Sequence, residues 1–587
     1  MFIVVSILIN AQSVLRGPYL QSTGQTSTYI CWKTSDTCLS EIKFGTTKTI
    51  LNITVTDTTK TDDHFIYLNN LLPNTQYYYL VNTTNSLYHT DTTFFYTQPL
   101  NTSKQKNRFL ALGDCGSGFI QQYNVKSAIT YYLQNKYING ILLLGDNAYY
   151  GGAQTEFQTG FFDPYKNNFI LNNSCIYPAP GNHEYANDNN LAQTHQIPYY
   201  DVFNKTPRNG ELGGVPSYHK EFYSYNYGNA HFISLDSYGI ELSNYHLWDS
   251  LGPQYQWLEQ DLQQDTSMWK IVYFHHPPFT MGSHNSDFEA DLVIIRQKIA
   301  RLLEKYGVDL VLNGHSHCYE RSWLQKGHYD LEATFNKTIH TIDSSSAKYD
   351  GGLNSCPYKK TTSNNKGTIY VVAGESGKLG ATQGSYPHNS KYFSDNTKAG
   401  ALYFEIEQNR LDAFYIEEDS LVHDNFTILK NVNKNTQVIL QANVSTFSLA
   451  ASWQGAYLWS NGGFKTSTAT YNLSSTTQYI VNDSLNCLAD TFNIIITNIN
   501  ENKKSPSLKL YPNPTSGKLF LTLNEPIKQC NVSITNTAGQ VVFLNSIQFT
   551  DYKSEVDLTR LHLTDGLYYI TVKHKNQSNT NSFLYRK

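Results

Sequence analysis

Charged residues are scarce in this chain. Asp, Glu, Lys and Arg make up 16% of its 587 residues, and 44 basic against 48 acidic side chains leave a net charge of −4. A protein that holds nucleic acid by bulk electrostatics needs a basic face. The composition therefore argues against a nucleic-acid partner, and the abundance of Tyr, Thr, Ser and Asn is typical of secreted and cell-surface β-rich proteins.

Long apolar runs are also missing. A transmembrane helix needs about 20 consecutive apolar residues, and no later stretch approaches that length, so we expect no transmembrane segment. The run from Phe2 to Ile9, followed by Asn10-Ala11-Gln12-Ser13, instead predicts a secretory signal over residues 1–13. Because Met1 leads straight into this run without basic residues, we interpret the signal as truncated.

Five short polar stretches carry the strongest functional signal. Most of them follow, or nearly follow, apolar runs that predict buried strands: Phe109 to Leu112, Ile141 to Leu144, Ile271 to Phe274 and Val308 to Leu312. Side chains at the ends of several strands in an open α/β sheet converge on one crevice. Asp, Asn, His and Tyr offer oxygen and nitrogen donors without a thiolate, which favours iron, zinc or manganese over a thiol-bound structural zinc.

In order and in residue type, these stretches resemble the motif set of the purple acid phosphatases, which are calcineurin-like metallophosphoesterases. The resemblance covers roughly residues 100 to 420. It rests on Gly113-Asp114-Cys115-Gly116, Gly145-Asp146-Asn147-Ala148-Tyr149, Gly181-Asn182-His183-Glu184, Val272-Tyr273-Phe274-His275 and Gly314-His315-Ser316-His317.

The resemblance implies a binuclear metal centre, with Fe³⁺ and a divalent Zn, Fe or Mn ion. Seven side chains would bind the two ions: Asp114, Tyr149 and His317 the first, Asn182, His275 and His315 the second, and Asp146 both. His183 and His284 match the catalytic histidines that face the substrate. The implied enzyme is a secreted acid phosphatase that hydrolyses small phosphate monoesters with a metal-bound hydroxide.

Two alternatives stay open. A phosphodiesterase or nucleotide hydrolase of the same superfamily would share most of these ligands, although Tyr149 favours the purple type. From a different class, the chain could be a surface adhesin whose phosphatase domain is degenerate. The intact set of ligands argues against the adhesin.

The segments that flank the motifs predict further domains. Short strands with turns, among them Tyr29 to Trp32 and Glu41 to Phe44, favour a β-sandwich over residues 14–99. Arg16-Gly17-Pro18-Tyr19-Leu20 resembles the fibronectin-III-like domain that precedes the catalytic domain in the same family.

Residues 100–425 would form an α/β metallophosphoesterase sheet sandwich flanked by helices, including helices over Gly252 to Gln264 and Phe288 to Tyr306. In the second helix, an apolar stripe at helical spacing is expected to face the core: Leu292, Ile295, Ile299 and Leu302. The fold class expected is thus multidomain, with further β-sandwich modules towards the C-terminus.

Two such modules follow the catalytic region. Residues 426–500 resemble immunoglobulin-like modules of bacterial surface proteins. Residues 507–587, with Leu510-Tyr511-Pro512-Asn513-Pro514 and Gly566-Leu567-Tyr568-Tyr569, resemble the C-terminal sorting domain of the type IX secretion system. That resemblance implies recognition by the export machinery of a Gram-negative bacterium, and a secreted or outer-surface location.

Cysteine is also sparse for a chain of this length. Eight cysteines without metal-finger spacing do not form a disulfide framework. Two pairings are hypotheses for an oxidising compartment: Cys31 with Cys38, which are close in sequence, and Cys115 with Cys318, which each follow an implied ligand of the same metal.

Overall fold

The structure is a computed structural model that describes residues 13–82, 93–101, 103–134, 136–166, 168–361, 367–441, 444–460, 462–472, 477–497, 507–575 and 577–587. The predicted signal lies almost wholly outside the described residues. The chain divides into two compact units. The first contains the chain up to residue 438 with 446–472 and 477–493, and the second contains 439–445 with the chain beyond 494.

The strands up to residue 430 build two large sheets and one small sheet of two strands, Leu324–Gln325 and Thr341–Asp343. In chain order they are β1 Val14–Gln21, β2 Thr28–Gly45, β3 Ile53–Leu68, β4 Gln76–Asn82, β5 Thr93–Tyr96, β6 Asn107–Leu112, β7 Gly140–Leu144, β8 Cys175–Ala179, β9 Tyr223–Tyr227, β10 Ala230–Ser234, β11 Trp269–Tyr273, β12 Leu310–Asn313, β13 Tyr319–Ser322, β14 Leu324–Gln325, β15 Thr341–Asp343, β16 Tyr358–Lys360, β17 Ile369–Ala373, β18 Lys391–Asp395, β19 Gly400–Glu407, β20 Arg410–Glu417 and β21 Val422–Lys430.

The first sheet has the order β16-β21-β20-β19-β6-β7-β8-β1-β2-β4-β5, with β3 paired to β2. Strands β6, β7 and β8 are parallel, and β1 joins β8 in parallel through Leu20 and Cys175. The N-terminal strands therefore extend the catalytic sheet. The predicted strands Tyr29 to Trp32 and Glu41 to Phe44 are parts of one strand, β2, whose pairing with β3 shifts register between Lys33 and Ser40.

The second sheet has the order β18-β13-β17-β12-β11-β10-β9, with β10, β11, β12 and β17 parallel. Alternate side chains of both sheets meet in one core, where the ring of Phe109 lies 4.7 Å from that of Phe232. This sheet sandwich confirms the predicted fold class.

Helices cover the outer faces of both sheets. The longer helices are Ile120–Leu133, Pro253–Gln264 and a continuous stretch made of Ala290–Ile295, a π-helical turn Arg296–Ala300 and Arg301–Lys305. Short helical segments are Gln154–Glu156, Phe157–Phe162, Asp163–Tyr165, Phe169–Asn173, His183–Tyr185, Asn189–Thr194, Tyr199–Val202, Leu242–Asn244, Glu332–Thr334, Lys337–His340 and Thr559–Leu561. Both predicted helices are confirmed, and the predicted apolar stripe is buried: Leu292, Ile295, Ile299 and Leu302.

Buried ion pairs hold β13 and β21 against each other. Arg321 binds Asp424 through Nε–Oδ2 at 2.6 Å and Nη2–Oδ1 at 2.9 Å, and both side chains are fully buried. Asp309 is likewise paired with Lys360 at 2.6 Å and Lys430 at 2.7 Å. Because removal of one partner leaves an uncompensated buried charge, these pairs fix β21 firmly in the sheet sandwich. The boundary predicted at residue 425 falls inside this strand.

A small β-module follows, with strands β22 Asn435–Gln441, β23 Thr446–Ala450, β24 Leu458–Trp459, β25 Thr468–Asn472, β26 Thr477–Asn482 and β27 Ala489–Thr497. It is linked to the catalytic region by the disulfide Cys356–Cys487. Both hypothesised pairings are wrong, since Cys31, Cys38, Cys115 and Cys318 are all free. Cys31 and Cys38 lie opposite Phe65 and Thr61 of β3. Those partners are four residues apart, roughly 13 Å at strand rise, which is too far for a disulfide.

The second unit contains a seven-stranded β-sandwich made of β28 Leu508–Tyr511, β29 Lys518–Leu523, β30 Gln529–Asn536, β31 Val541–Gln548, β32 Lys553–Asp557, β33 Gly566–His574 and β34 Gln577–Tyr585. Its sheets enclose a core of their own that includes Leu519, Val532 and Ile570. Among all described residues, no helix is both long and apolar enough to cross a bilayer.

The position of β21 gives a first testable prediction. A chain ending at residue 497 should fold with a cooperative thermal transition, because it keeps β21, the β-module and the disulfide. A chain ending at residue 425 loses Ile428 and Leu429, which are fully buried, and large core truncations cost about 2–5 kcal/mol each. We expect it to be insoluble or to melt without cooperativity, measured by circular dichroism. Equal melting of the two chains would contradict this assignment of β21.

Candidate metal centre

All seven predicted ligands lie at one edge of the sheet sandwich. Asp114, Asp146 and Asn182 follow the carboxyl ends of β6, β7 and β8 in the first sheet, while His275 and His315 follow β11 and β12 in the second. Carboxyl ends of parallel strands share an edge. Tyr149 and His317 lie slightly further along the loops after β7 and β12, and the structure brings them to the same place.

The backbone turns sharply to direct these side chains into the site. Asp114, Asp146 and His315 have φ of +55°, +52° and +66°, the left-handed region that residues with a Cβ rarely adopt. Glycine makes the turn after β7 possible, because Gly145 has φ +93° and a Cβ there would lie 2.5 Å from His275 Nδ1. Backbone strain of this kind is concentrated at functional sites.

One group of donor atoms consists of Asp114, Tyr149 and His317. The Tyr149 hydroxyl lies 2.8 Å from Asp114 Oδ1 and 3.1 Å from His317 Nε2, and His317 Nε2 lies 3.2 Å from Asp114 Oδ1. The three atoms thus form a tight triangle, with Asp114 fully buried and Tyr149 buried.

A second group consists of Asn182, His275 and His315. His315 Nδ1 lies 3.2 Å from Asn182 Oδ1 and 3.3 Å from His275 Nε2. The Asn182 amide nitrogen donates to Asn187 Oδ1 at 2.6 Å, which turns its oxygen towards the histidines. An amide oxygen and two imidazole nitrogens are suitable ligands for a transition metal.

Asp146 lies beside the second group and close to the first. Its Oδ2 is 3.2 Å from His275 Nε2, and its Oδ1 accepts a hydrogen bond from the backbone N–H of His183 at 2.9 Å. One oxygen each of Asp114 and Asp146 and a ring nitrogen of His275 lie within 4.8 Å of one another.

The protonation pattern of this cluster fits a bound cation. His275 Nδ1–H donates to the carbonyl of Leu144 at 2.9 Å, so its Nε2 lone pair faces the Asp146 carboxylate. Without a cation, burial lowers the pKa of His275, but the Asp146 and Asp114 carboxylates outweigh that effect and raise it to about 9. Burial, followed by the Asp114 carboxylate, raises the pKa of Tyr149 well above its usual range. Metal ions would replace the protons that the cluster otherwise attracts.

Glu184 fixes the loops that carry the ligands. Its carboxylate accepts backbone N–H groups from Gly181 at 2.6 Å, Asn147 at 2.6 Å and Asp146 at 3.0 Å. Burial, and next the charge of Asp146, raise the pKa of Glu184 to about 8. This side chain therefore holds the turns after β7 and β8 together rather than binding substrate.

The two predicted catalytic histidines border the site. His183 Nδ1–H donates to the carbonyl of Tyr150 at 2.8 Å, and its Nε2 lies 3.9 Å from Asp146 Oδ2. His284 stacks on His315 with ring centroids 3.7 Å apart and contacts Glu289 Oε2 through Nδ1 at 2.9 Å. A cavity of about 370 Å³ opens beside His284, Glu289, Tyr238 and His276.

Sequence reasoning missed two residues at this rim. Glu289 Oε2 lies 3.5 Å from His315 Nε2 as well as contacting His284. Lys378 places its Nζ 5.3 Å from the centroid of the Tyr149 ring and 5.6 Å from that of Tyr150. Glu289 is the N-cap residue of the helix that begins at Ala290, and Lys378 lies in the loop after β17. Neither belongs to a spaced motif, so the sequence held no signal for either role.

Comparison with known families explains this arrangement. Residues 107–319 match the model of the calcineurin-like phosphoesterases, and residues 509–586 match that of secretion system C-terminal sorting domains. The chain contains a calcineurin-like phosphoesterase domain. Its C-terminal sandwich is a secretion sorting domain, as predicted.

Curated relatives include purple acid phosphatases. Purple acid phosphatase 15 of Arabidopsis thaliana is 26% identical over 286 residues, which are 44% of this chain and 49% of that protein. An acid phosphatase of Aspergillus ficuum is 28% identical over 27% of this chain and 36% of its own length. Among solved structures, a purple acid phosphatase from yellow lupin covers 70% of this chain and 74% of its own, with 19% identity and a TM-score of 0.49. The chain thus spans about half the length of Purple acid phosphatase 15.

The close contact at Gly145 gives a second prediction. Gly145→Ala should displace the His275 ring and lower the metal content of the phosphoesterase domain, measured by elemental analysis of purified protein. A misplacement of about 1 Å costs on the order of 100-fold in turnover. Gly327→Ala is the matched control, since Gly327 has a similar φ of +82° but no heavy atom within 4 Å of its added Cβ. If both variants behaved alike, backbone strain rather than the contact with His275 would be responsible.

Proposed function

We propose that the protein is a secreted acid phosphatase whose phosphoesterase domain holds two metal ions. Asp114, Tyr149 and His317 would bind one ion, and Asn182, His275 and His315 the other. The observation that carries this proposal is the presence of two compact donor groups with the Asp146 carboxylate close to both. Two such ions bind phosphate oxygens, neutralise developing charge and lower the pKa of a coordinated water molecule.

The residues around the donors supply the remaining functions. The hydrogen bond from His183 Nδ1–H to the Tyr150 carbonyl leaves Nε2 directed towards the site, where it can donate a proton to the departing alkoxide. Glu289 orients His284 through the contact between its Oε2 and His284 Nδ1 at 2.9 Å. Lys378 adds a positive charge at the rim above Tyr149 and Tyr150.

These charges favour phosphate monoesters over diesters as substrates. A monoester phosphate carries one more negative charge than a diester, and His183, His284 and Lys378 are all able to stabilise it. The cavity beside His284 can accept the ester group, while Tyr238 on its wall provides a flat apolar surface. A phosphodiesterase or nucleotide hydrolase remains the second candidate because this cavity of about 370 Å³ would also admit a second ester substituent.

The remaining domains support secretion. The C-terminal sorting domain would be recognised by a type IX export machinery and lead to release or display at the outer surface of a Gram-negative cell. We assign residues 14–99 to a fibronectin-III-like domain and place the end of the catalytic domain after Lys430, where β21 ends. The β-module that follows would be an immunoglobulin-like spacer.

Asp146→Asn tests the binuclear proposal. A neutral amide cannot balance two cations as a carboxylate does, so we expect loss of at least one metal equivalent and a fall in turnover of at least about 100-fold. Elemental analysis and a panel of mono- and diesters over a pH series measure both effects. Asp163→Asn, an exposed carboxylate away from the ligands, should change neither. Wild-type metal content in Asp146→Asn would remove the bridging role, and a metal-free wild type would favour the adhesin.

Tyr149→Phe tests the identity of the first ion. We propose Fe³⁺ there and a divalent Zn, Fe or Mn ion in the second position, because only a strongly charged cation would ionise a phenol whose pKa burial and Asp114 raise. The wild type should absorb visible light and be most active below pH 7, and the variant should lose the absorption band. Tyr150→Phe, whose ring is largely exposed, is the control. Colourless wild-type protein with a full pair of metal ions would contradict ferric iron.

A further inference from the structure

A second group of metal-ligating side chains lies outside the proposed binuclear centre. Asp395 at the end of β18, Glu417 at the end of β20 and His423 in β21 bring one ligand atom each within 4.8 Å of one another. Asp419, in the turn between β20 and β21, contacts His423 Nε2 at 2.9 Å. Asp395 and His423 are partly exposed, so a solvated ion could reach them.

Glu417 provides the evidence that this cluster binds an ion. Its side chain is fully buried, yet in the described part of the chain neither carboxylate oxygen accepts a hydrogen bond. His423 Nε2 lies 3.1 Å from Glu417 Oε2, but its hydrogen-bonding geometry is directed to Asp419. A buried carboxylate without a partner is strongly destabilising, and such groups are normally paired or bound to metal.

The charges around this cluster are unbalanced. Lys398 forms an ion pair with Asp419, whereas no Lys or Arg among the described residues lies in ion-pair contact with Asp395 or Glu417. Oδ1 of Asp395 accepts two hydrogen bonds from Thr397, both at 2.7 Å, which fixes the direction of its carboxylate. The cluster therefore has an excess of negative charge that a cation would compensate.

We propose that Asp395, Glu417 and His423 form a third metal site, which binds a divalent transition-metal ion such as Zn²⁺ or Mn²⁺. An imidazole with two carboxylates matches the ligand preferences of these ions, while Ca²⁺ and Mg²⁺ prefer oxygen ligands alone. Asp419 supplies a further carboxylate beside the site.

A cation in this position would fasten the segment 395–400 to the β20–β21 hairpin. That segment already accepts a hydrogen bond from Glu418 N at the Ala399 carbonyl, 2.8 Å away. It is connected to the proposed binuclear centre through Gly380: Asn396 donates to Gly380 O at 2.8 Å, and Gly380 N donates to His317 O at 3.0 Å. The role of the third site is therefore structural, at the back of the loop that carries His317.

The test is a titration of the full chain, stripped of metal by a chelator, with Zn²⁺ and Mn²⁺ in an isothermal calorimeter. Wild-type protein should bind one more equivalent than Glu417→Gln, and the remaining equivalents should be unchanged. Loss of a ligand carboxylate should weaken the third site by about 10–100-fold or more. Because only the difference between variants matters, the result is independent of phosphatase activity and of the proposed binuclear centre.

Two further variants make the titration decisive. Glu418→Gln is the matched control, since this neighbouring carboxylate is exposed and bonds to Asn124, and it should bind as wild type does. His423→Gln should lose the same equivalent as Glu417→Gln and serves in its place if that variant does not fold. An equal number of bound ions per chain in wild type and in the folded variants would overturn the proposal. The buried Glu417 carboxylate would then be neutralised by a proton, carried by Glu417 itself or by His423. An extra equivalent of Ca²⁺ but not of Zn²⁺ or Mn²⁺ would overturn the assigned metal class.

Discussion

The phosphoesterase domain depends on one electrostatic constraint: lone pairs of carboxylate, imidazole and phenol groups are held about 3 Å apart in a buried place. Such an arrangement is repulsive unless protons or metal ions lie between the donors. The fold opposes this repulsion with rigid strand ends, with three strained turns at Asp114, Asp146 and His315, and with the Glu184 carboxylate that holds three backbone N–H groups. The sheet sandwich behind the site is the support that makes this geometry possible.

The buried charges of the same domain are balanced by different kinds of partner. Arg321 and Asp424 compensate each other with two hydrogen bonds in the interior, and Asp309 is balanced by two lysines. Glu417 and the carboxylates of the proposed binuclear centre, Asp114 and Asp146, have only histidines in ion-pair contact in the described chain, and no Lys or Arg. At both proposed metal sites a bound cation would supply the balancing charge.

Much of the site could be predicted from sequence because its ligands occupy short motifs directly after apolar strands. Continuous apolar runs predict these strands, which are buried on both faces. Their ends lie on one edge of the sheets, which explains the convergence of Asp114, Asp146, His275 and His315. The roles of Glu289, Lys378 and the cluster around Glu417 could not be predicted, because these residues approach their partners only in the tertiary fold. Strand β2 was divided into two because its exposed middle, around Ser35 to Thr37, interrupts the apolar pattern without ending the strand. The pairing of Cys356 with Cys487 spans 131 residues and leaves no local trace.

That disulfide changes what proteolysis can do to the molecule. The catalytic region and the β-module are joined by the peptide chain after Lys430 and, separately, by Cys356–Cys487. A protease that cut the connection between residues 431 and 434 would yield two fragments on a reducing gel but one particle in solution. In the chain-entropy model, closing a loop of this length lowers the entropy of the unfolded chain and stabilises the folded protein by about 4–5 kcal/mol. The disulfide, and with it this stabilisation, persists only in an oxidising environment. Outside the cell the module would be a permanent part of the enzyme, whereas in a reducing cytoplasm the same chain would be held by its peptide linkage alone.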